Sequence, residues 1–316
     1  MRFARLIGYV ALVASAAYFL AVLSRHAGAL PTITWDRSTF AVLIACLALY
    51  LAQISAAGLA WSIWLNAARE VSHPRLAIAL FAVSQFAKYL PGGFAQHIAR
   101  VALGKRHGLS PPGMVVTIAL EQSWALAAAV AVAGAMVLIV GWEPNGISLP
   151  SPLSVGLVVG LVLAVPPAIM WIGGPHRPRF LEPWLGAWRT THPKARTVAP
   201  CFLLYAIGTA NCGWNIDLIA TYMLGAEHGH ALLVINVYAI AWIAGFVTLV
   251  APGGIGVRDA ILLAGLTPAY GPGTALAATI TYRVVTSVGD ALAFVLGLLV
   301  EKRLRRPNIT QDLKST

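Results

Sequence analysis

Lys88, Arg100 and Arg258 are three cations set beside two breaks in an otherwise apolar chain. The first break is Phe86-Ala87-Lys88-Tyr89-Leu90-Pro91-Gly92-Gly93, and the second is Leu249-Val250-Ala251-Pro252-Gly253-Gly254. Proline removes a backbone donor and clashes with the preceding turn, while paired glycines let the chain reverse, so each stretch must end a helix. A new helix is expected after each Gly-Gly, near Phe94 and near Ile255. Its unpaired N–H groups and the positive end of its dipole favour an anion. Two such ends, with the three cations beside them, suit a phosphate group. The alternative is that Arg100 and Arg258 extend to opposite membrane surfaces and bind nothing specific.

Three further ionisable residues stand inside apolar segments, where a charge is costly and points to function. Glu121 follows Ala119-Leu120, and Arg283 and Asp290 share a helical face in the last apolar segment. Counted from the two Pro-Gly-Gly breaks, Glu121 and Arg283 hold nearly equivalent positions with opposite charge. The spacing predicts an ion pair between them, serving either to hold helices together or to gate.

Composition dictates the solvent in which these residues work. The 316 residues are 59% hydrophobic and 10% charged, with a mean hydropathy of +0.77. Soluble domains carry roughly 25% charged residues, so the chain is read as a polytopic membrane protein. The net charge of +11 does not indicate nucleic acid. Its basic residues fall at Arg2 and Arg5, Lys105 and Arg106, Arg177 to Arg196 and Lys302 to Arg306, short segments flanking apolar runs as the positive-inside rule expects of cytoplasmic loops. Cys46, Cys201 and Cys212 lie in apolar spans and read as packing residues, not a disulfide framework.

Full spans are expected at 6–24, 39–65, 114–140, 153–173, 198–224 and 274–300. The first is long enough to remain as a membrane helix instead of a cleaved signal. Ser110-Pro111 and Ser151-Pro152 mark two helix starts. With the basic segments inside, 76–113 must begin and end on the cytoplasmic side, and 231–273 must begin and end outside. Each is therefore read as a re-entrant helical hairpin turning at its Pro-Gly-Gly. The fold class is all-α and polytopic, with about six full spans plus two re-entrant hairpins in an inverted-topology repeat. A single integral membrane domain covers 1–316: one repeat at 39–140, a linking span at 153–173, a second repeat at 198–300 and a basic cytoplasmic tail at 301–316. The bland alternative is ordinary kinked spans.

Weaker signals lead nowhere. Glu227-His228-Gly229-His230 is too short for a metal site, and Gly253-Gly254-Ile255-Gly256 lacks the strand and spacing of a dinucleotide fingerprint. No metal or cofactor is expected. Trp35, Trp61, Trp64, Trp142 and Trp171 read as interface anchors, and Asp217 as a solvated residue near the outer end of its span.

Lys88-Tyr89-Leu90-Pro91-Gly92-Gly93 with Arg100, Leu120-Glu121, Pro252-Gly253-Gly254-Ile255-Gly256-Val257-Arg258 and Tyr282-Arg283 together resemble the lysylphosphatidylglycerol synthase transmembrane region, the flippase-like membrane proteins. Asp259 departs from that pattern, which usually has Glu after the Arg. The resemblance implies transport of a phospholipid or polyprenyl-linked lipid between leaflets of a bacterial inner membrane. Substrate contacts are expected at Lys88, Tyr89, Pro91, Gly92, Gly93, Arg100, Pro252, Gly253, Gly254, Gly256 and Arg258, and ion pairing or gating by Glu121, Arg283, Asp259 and Asp290. Larger relatives add a cytoplasmic aminoacyl-transferase domain, and this chain is expected to be too short for one. The expected partner is a membrane lipid with a phosphate headgroup; the second reading is a component or partner of a lipid-modifying enzyme or lipid-linked glycosyltransferase.

Overall fold

The computed structural model describes residues 30–68, 70, 73–89, 94–140, 152–172, 194–248 and 256–305, with a few single positions before residue 30. Among them every regular element is helical. Helix α1 is Arg37–Ala67 and α2 is Pro74–Gln85, which tightens into a 3-10 turn at Phe86–Tyr89. Then come α3, Ala95–Lys105; α4, Pro111–Val140; and α5, Pro152–Ile172. Helix α6, Ala195–Leu218, continues into a π turn at Ile219–Met223; α7 is Ala231–Val247 and α8 is Val257–Arg305.

The starts are set by local chemistry. Asp36 caps α1 by accepting the Thr39 N–H at 2.9 Å, and that bond, with the Ser38 hydroxyl, holds its carboxyl below the usual carboxylate range. Ser110 caps α4 at the Gly113 N–H, with Pro111 in the first position. The carboxylate of Glu70 in turn accepts both the backbone N–H and the hydroxyl of Ser110, joining the end of α1 to the start of α4.

Three helices are long and apolar enough to cross a membrane by length and composition: Arg37–Ala67, Pro111–Ile139 and Val257–Leu304. The third is not one straight rod. Asp259 and Arg283 would stand about 36 Å apart on a continuous helix, yet they are in direct contact. The chain doubles back at Gly271, whose φ of 73° suits glycine, between Pro268 and Pro272. Asp259 and Arg283 are equidistant from that glycine. The arm after it still exceeds the ~20 residues a bilayer requires.

The same reasoning identifies two more reversals. Arg100 on α3 donates to Ser84 on α2 at 3.3 Å, where a straight helix would separate them by about 24 Å. The pair is equidistant from residue 92. A Cβ placed on Gly265 would lie 2.6 Å from Val237 on α7, and these two are equidistant from residue 251. Helices α2 and α3, and α7 with the first arm of α8, are thus hairpin partners. Of the other expected spans, 39–65, 114–140, 153–173 and 198–224 coincide with α1, α4, α5 and α6 with its π turn. The span 6–24 and most of the basic 173–196 loop lie outside the described residues.

Glycines mark where helices meet. A Cβ on Gly58 of α1 would sit 2.8 Å from the Ile78 backbone of α2, and one on Gly297 of α8 would sit 3.0 Å from the Ala79 carbonyl. In lipid, where apolar burial between helices gains little, such close backbone approach drives packing. Helix α5 packs mainly on α4 and leaves Leu153, Leu157, Val158, Leu161 and Val165 exposed. That face suits contact with acyl chains.

Trp61 and Trp64 correct the sequence reading. Both are fully buried and neither is an interface anchor. Their indole N–H groups donate to Thr117 Oγ1 at 3.2 Å and Tyr205 OH at 3.0 Å. Trp35, in contrast, is exposed. Cys46, Cys201 and Cys212 are buried free thiols.

Candidate functional site

A cavity of about 980 Å³ opens between the first and second halves of the chain, and Lys88, Tyr89, Arg100, Glu121, Arg258 and Arg283 all line it. Residues remote in sequence and selected only for their charge are therefore brought to one place. Their pairing is specific.

Lys88, in the 3-10 turn closing α2, lies 2.7 Å from the carboxylate of Asp290 on α8. Asp290 is fully buried and also accepts from Tyr50 OH at 2.8 Å and Tyr89 OH at 2.6 Å. Lys88 donates to Tyr50 OH at 3.1 Å as well. A buried carboxylate is tolerated because three donors converge on it, Tyr50 from α1 and Lys88 and Tyr89 from the turn that closes α2.

Arg100 and Glu121 form the second pair, 2.7 Å apart, with side chains only 1% and 4% exposed. The guanidinium lies 4.2 Å from the Phe81 ring centre and 5.0 Å from that of Trp61, and such faces attract a desolvated cation. Gln122 donates to the remaining Glu121 oxygen at 2.9 Å. Arg100 is thus a buried wall of the cavity and does not extend to a membrane surface.

The third pair is Asp259 with Arg283, whose Nη2 donates to both carboxylate oxygens, at 2.6 Å to Oδ1. Asp259 also accepts the Gly256 N–H at 3.2 Å, capping the first turn of α8 next to a φ of 92° at Gly256. The residue that departs from the family pattern therefore has two defined partners.

The predicted Glu121–Arg283 pair is corrected. Glu121 bonds Arg100 and Arg283 bonds Asp259, because the fold-back of α3 on α2 delivers Arg100 to α4 and the fold-back at Gly271 delivers Arg283 to Asp259. Asp217 is also corrected. It is buried and accepts from Tyr270 OH at 2.6 Å.

Arg258 differs from its neighbours. Its Nε is buried without a hydrogen-bond partner, and no carboxylate among the described residues forms an ion pair with it. Tyr50, Tyr238 and Tyr282 line the same cavity. Pro91, Gly92, Gly93, Pro252, Gly253 and Gly254, expected to contact substrate, lie outside the described residues. Helix α3 does begin at Ala95 with no side-chain cap on its first N–H groups.

Sequence reasoning missed Tyr50, Ser84 and Phe81, which contact the cations, and Tyr238, which lines the cavity. A tyrosine at the middle of an apolar span, as at Tyr50, is a usable signal, since its hydroxyl needs a partner there. The family model of the lysylphosphatidylglycerol synthase TM region matches residues 6–293. No curated protein matches the chain.

Proposed function

Because the chain belongs to the lysylphosphatidylglycerol synthase TM-region family and is an integral membrane protein, we propose that it moves a phospholipid or polyprenyl-linked lipid between leaflets, as a flippase or scramblase. The headgroup phosphate occupies the cavity while the acyl or prenyl chain stays in the bilayer. One observation carries this reading: Lys88 from the first half of the chain and Arg258 and Arg283 from the second line one cavity. Cations kept at such a depth stabilise an anion that would otherwise cross hydrocarbon unpaired.

In this reading the α2–α3 and α7–α8 hairpins are re-entrant, run in opposite senses and meet at the cavity, with both termini cytoplasmic. Repeats of this kind place substrate at their interface near the bilayer midplane. Transport breaks no covalent bond, so the reading assigns substrate-holding and gating residues and no catalytic ones. The test is headgroup accessibility in proteoliposomes, measured with labelled phospholipids and a prenyl phosphate. Acceleration over protein-free vesicles is expected. A protein that only scaffolds a lipid-modifying enzyme would give none.

A further inference from the structure

The charges around the cavity do not balance, and the imbalance is informative about the cargo. Four cations, Lys88, Arg100, Arg258 and Arg283, face three carboxylates, Asp290, Glu121 and Asp259. Each carboxylate has taken one cation and at least one further donor: Tyr50 and Tyr89 for Asp290, Gln122 for Glu121, the Gly256 N–H for Asp259. Three pairs therefore cancel, and among the described residues Arg258 is left without a carboxylate of its own. Lys105 also lines the cavity, but it is exposed at the end of α3, where solvent compensates it.

A half-buried cation on a cavity wall shared with Tyr50, Tyr238 and Tyr282, with no carboxylate of its own among the described residues, is costly unless an anion joins it. The same arrangement offers nothing to a second cation, because every carboxylate that could receive an ammonium is already engaged. We infer that the cavity is built for a lipid carrying one net negative charge, a phosphodiester whose headgroup is otherwise uncharged, with the phosphate on Arg258. Gln53, Gln85, Thr209 and Tyr282 line the remaining wall, and their neutral hydrogen-bonding groups fit a hydroxylated headgroup. A zwitterionic or aminoacylated headgroup would bring a cation without a partner. A prenyl diphosphate would bring more negative charge than Arg258 offsets. The inference rests on the transport reading and narrows its cargo.

The experiment measures binding to the full chain in detergent by native mass spectrometry, with five probes of one short acyl length or none: dihexanoyl phosphatidylglycerol, dihexanoyl phosphatidylethanolamine, dihexanoyl phosphatidic acid, farnesyl diphosphate and deacylated glycerophosphoglycerol. Phosphatidylglycerol is expected to bind about tenfold or more tighter than the zwitterion and the diphosphate, the range a charge-assisted contact supplies. Arg258→Gln should remove that preference and Arg258→Lys should keep it. Asp259→Asn, which adds one net positive charge, should shift preference toward dihexanoyl phosphatidic acid, and it decides the matter if Arg258→Gln is not monodisperse. Equal binding of phosphatidylglycerol and phosphatidylethanolamine, or a preference that survives Arg258→Gln, would overturn the inference. Binding of the deacylated probe as tight as the lipid would overturn a lipid as the source of the phosphodiester. The transport reading fails separately. Charge-blind translocation in vesicles retires the monoanion and leaves transport standing, whereas selective binding with no translocation of any lipid retires transport alone.

Discussion

Arg100 and Glu121 are the most deeply buried of the three pairs, and each compensates the other. Glu121→Gln is expected to cost on the order of 3–5 kcal/mol by leaving Arg100 buried and uncompensated. Replacing both by Met should cost less than the sum of the single changes, with a coupling of about 0.5–3 kcal/mol. Glu121→Gln combined with Arg283→Gln should instead be additive, because those two residues belong to different pairs. Unfolding in detergent, followed for each variant and each combination, checks both statements; coupling between positions 121 and 283 would contradict the pairing. The sequence made the charges legible because ionised groups in apolar runs have few explanations. It did not make their partners legible. Counting from the Pro-Gly-Gly breaks treats each half as an equivalent ruler, whereas the partner is chosen by how tightly α3 returns along α2. Trp61 and Trp64 escape the sequence reading for a related reason: nearness to a span end says nothing about which way an indole points, and here Thr117 and Tyr205 supply partners inside.

At the scale of elements, helix starts are the most legible feature, since Pro111 and Pro152 open α4 and α5 where the first-turn proline predicts. Close packing is not, because a glycine that admits a neighbouring helix and one that faces lipid read alike. Gly58 meets the Ile78 backbone, whereas Gly156 on α5 has nothing within 4 Å of its added Cβ. Gly58→Ala is expected to destabilise by roughly 1–3 kcal/mol through overpacking. Gly156→Ala should be neutral or stabilising by up to about 1 kcal/mol, as alanine is the better helix former. Thermal unfolding of the two variants in the same detergent provides the comparison, and equal shifts would show that α1 and α2 can separate at little cost. Gly271→Ala isolates a third effect. It meets no neighbour, so the cost, about 1–3 kcal/mol, is that of the backbone alone, whose φ of 73° with ψ of 161° is a region essentially confined to glycine.

For the whole molecule, the open quantity is the side of the membrane on which each hairpin begins. In a background without Cys46, Cys201 and Cys212, single cysteines at Arg75 and Arg106 should both label from the cytoplasm, and one at His228 from outside. These three positions are exposed. Labelling of 75 and 106 from opposite faces would make α2 and α3 parts of a crossing and remove the inverted repeat. Charge bias supplies this expectation and packing alone does not, since a helical bundle has the same contacts whichever way up it lies. The doubled-back form of α8 has a mechanical consequence. Two arms joined at a glycine and fastened by Asp259, at the far end of the shorter arm, and Arg283, on the longer one, form a clasped pair of tweezers. In the transport reading, a cargo phosphate drawing on Arg283 would loosen the clasp from within and free the arm bearing Arg258 to swing about Gly271. Spin labels on the two arms, at the exposed positions Ala264 and Val288, should report a single narrow distance in the wild-type chain and a broadened one in Asp259→Asn, so that the fastening is read as a spread of angles and not as a loss of fold.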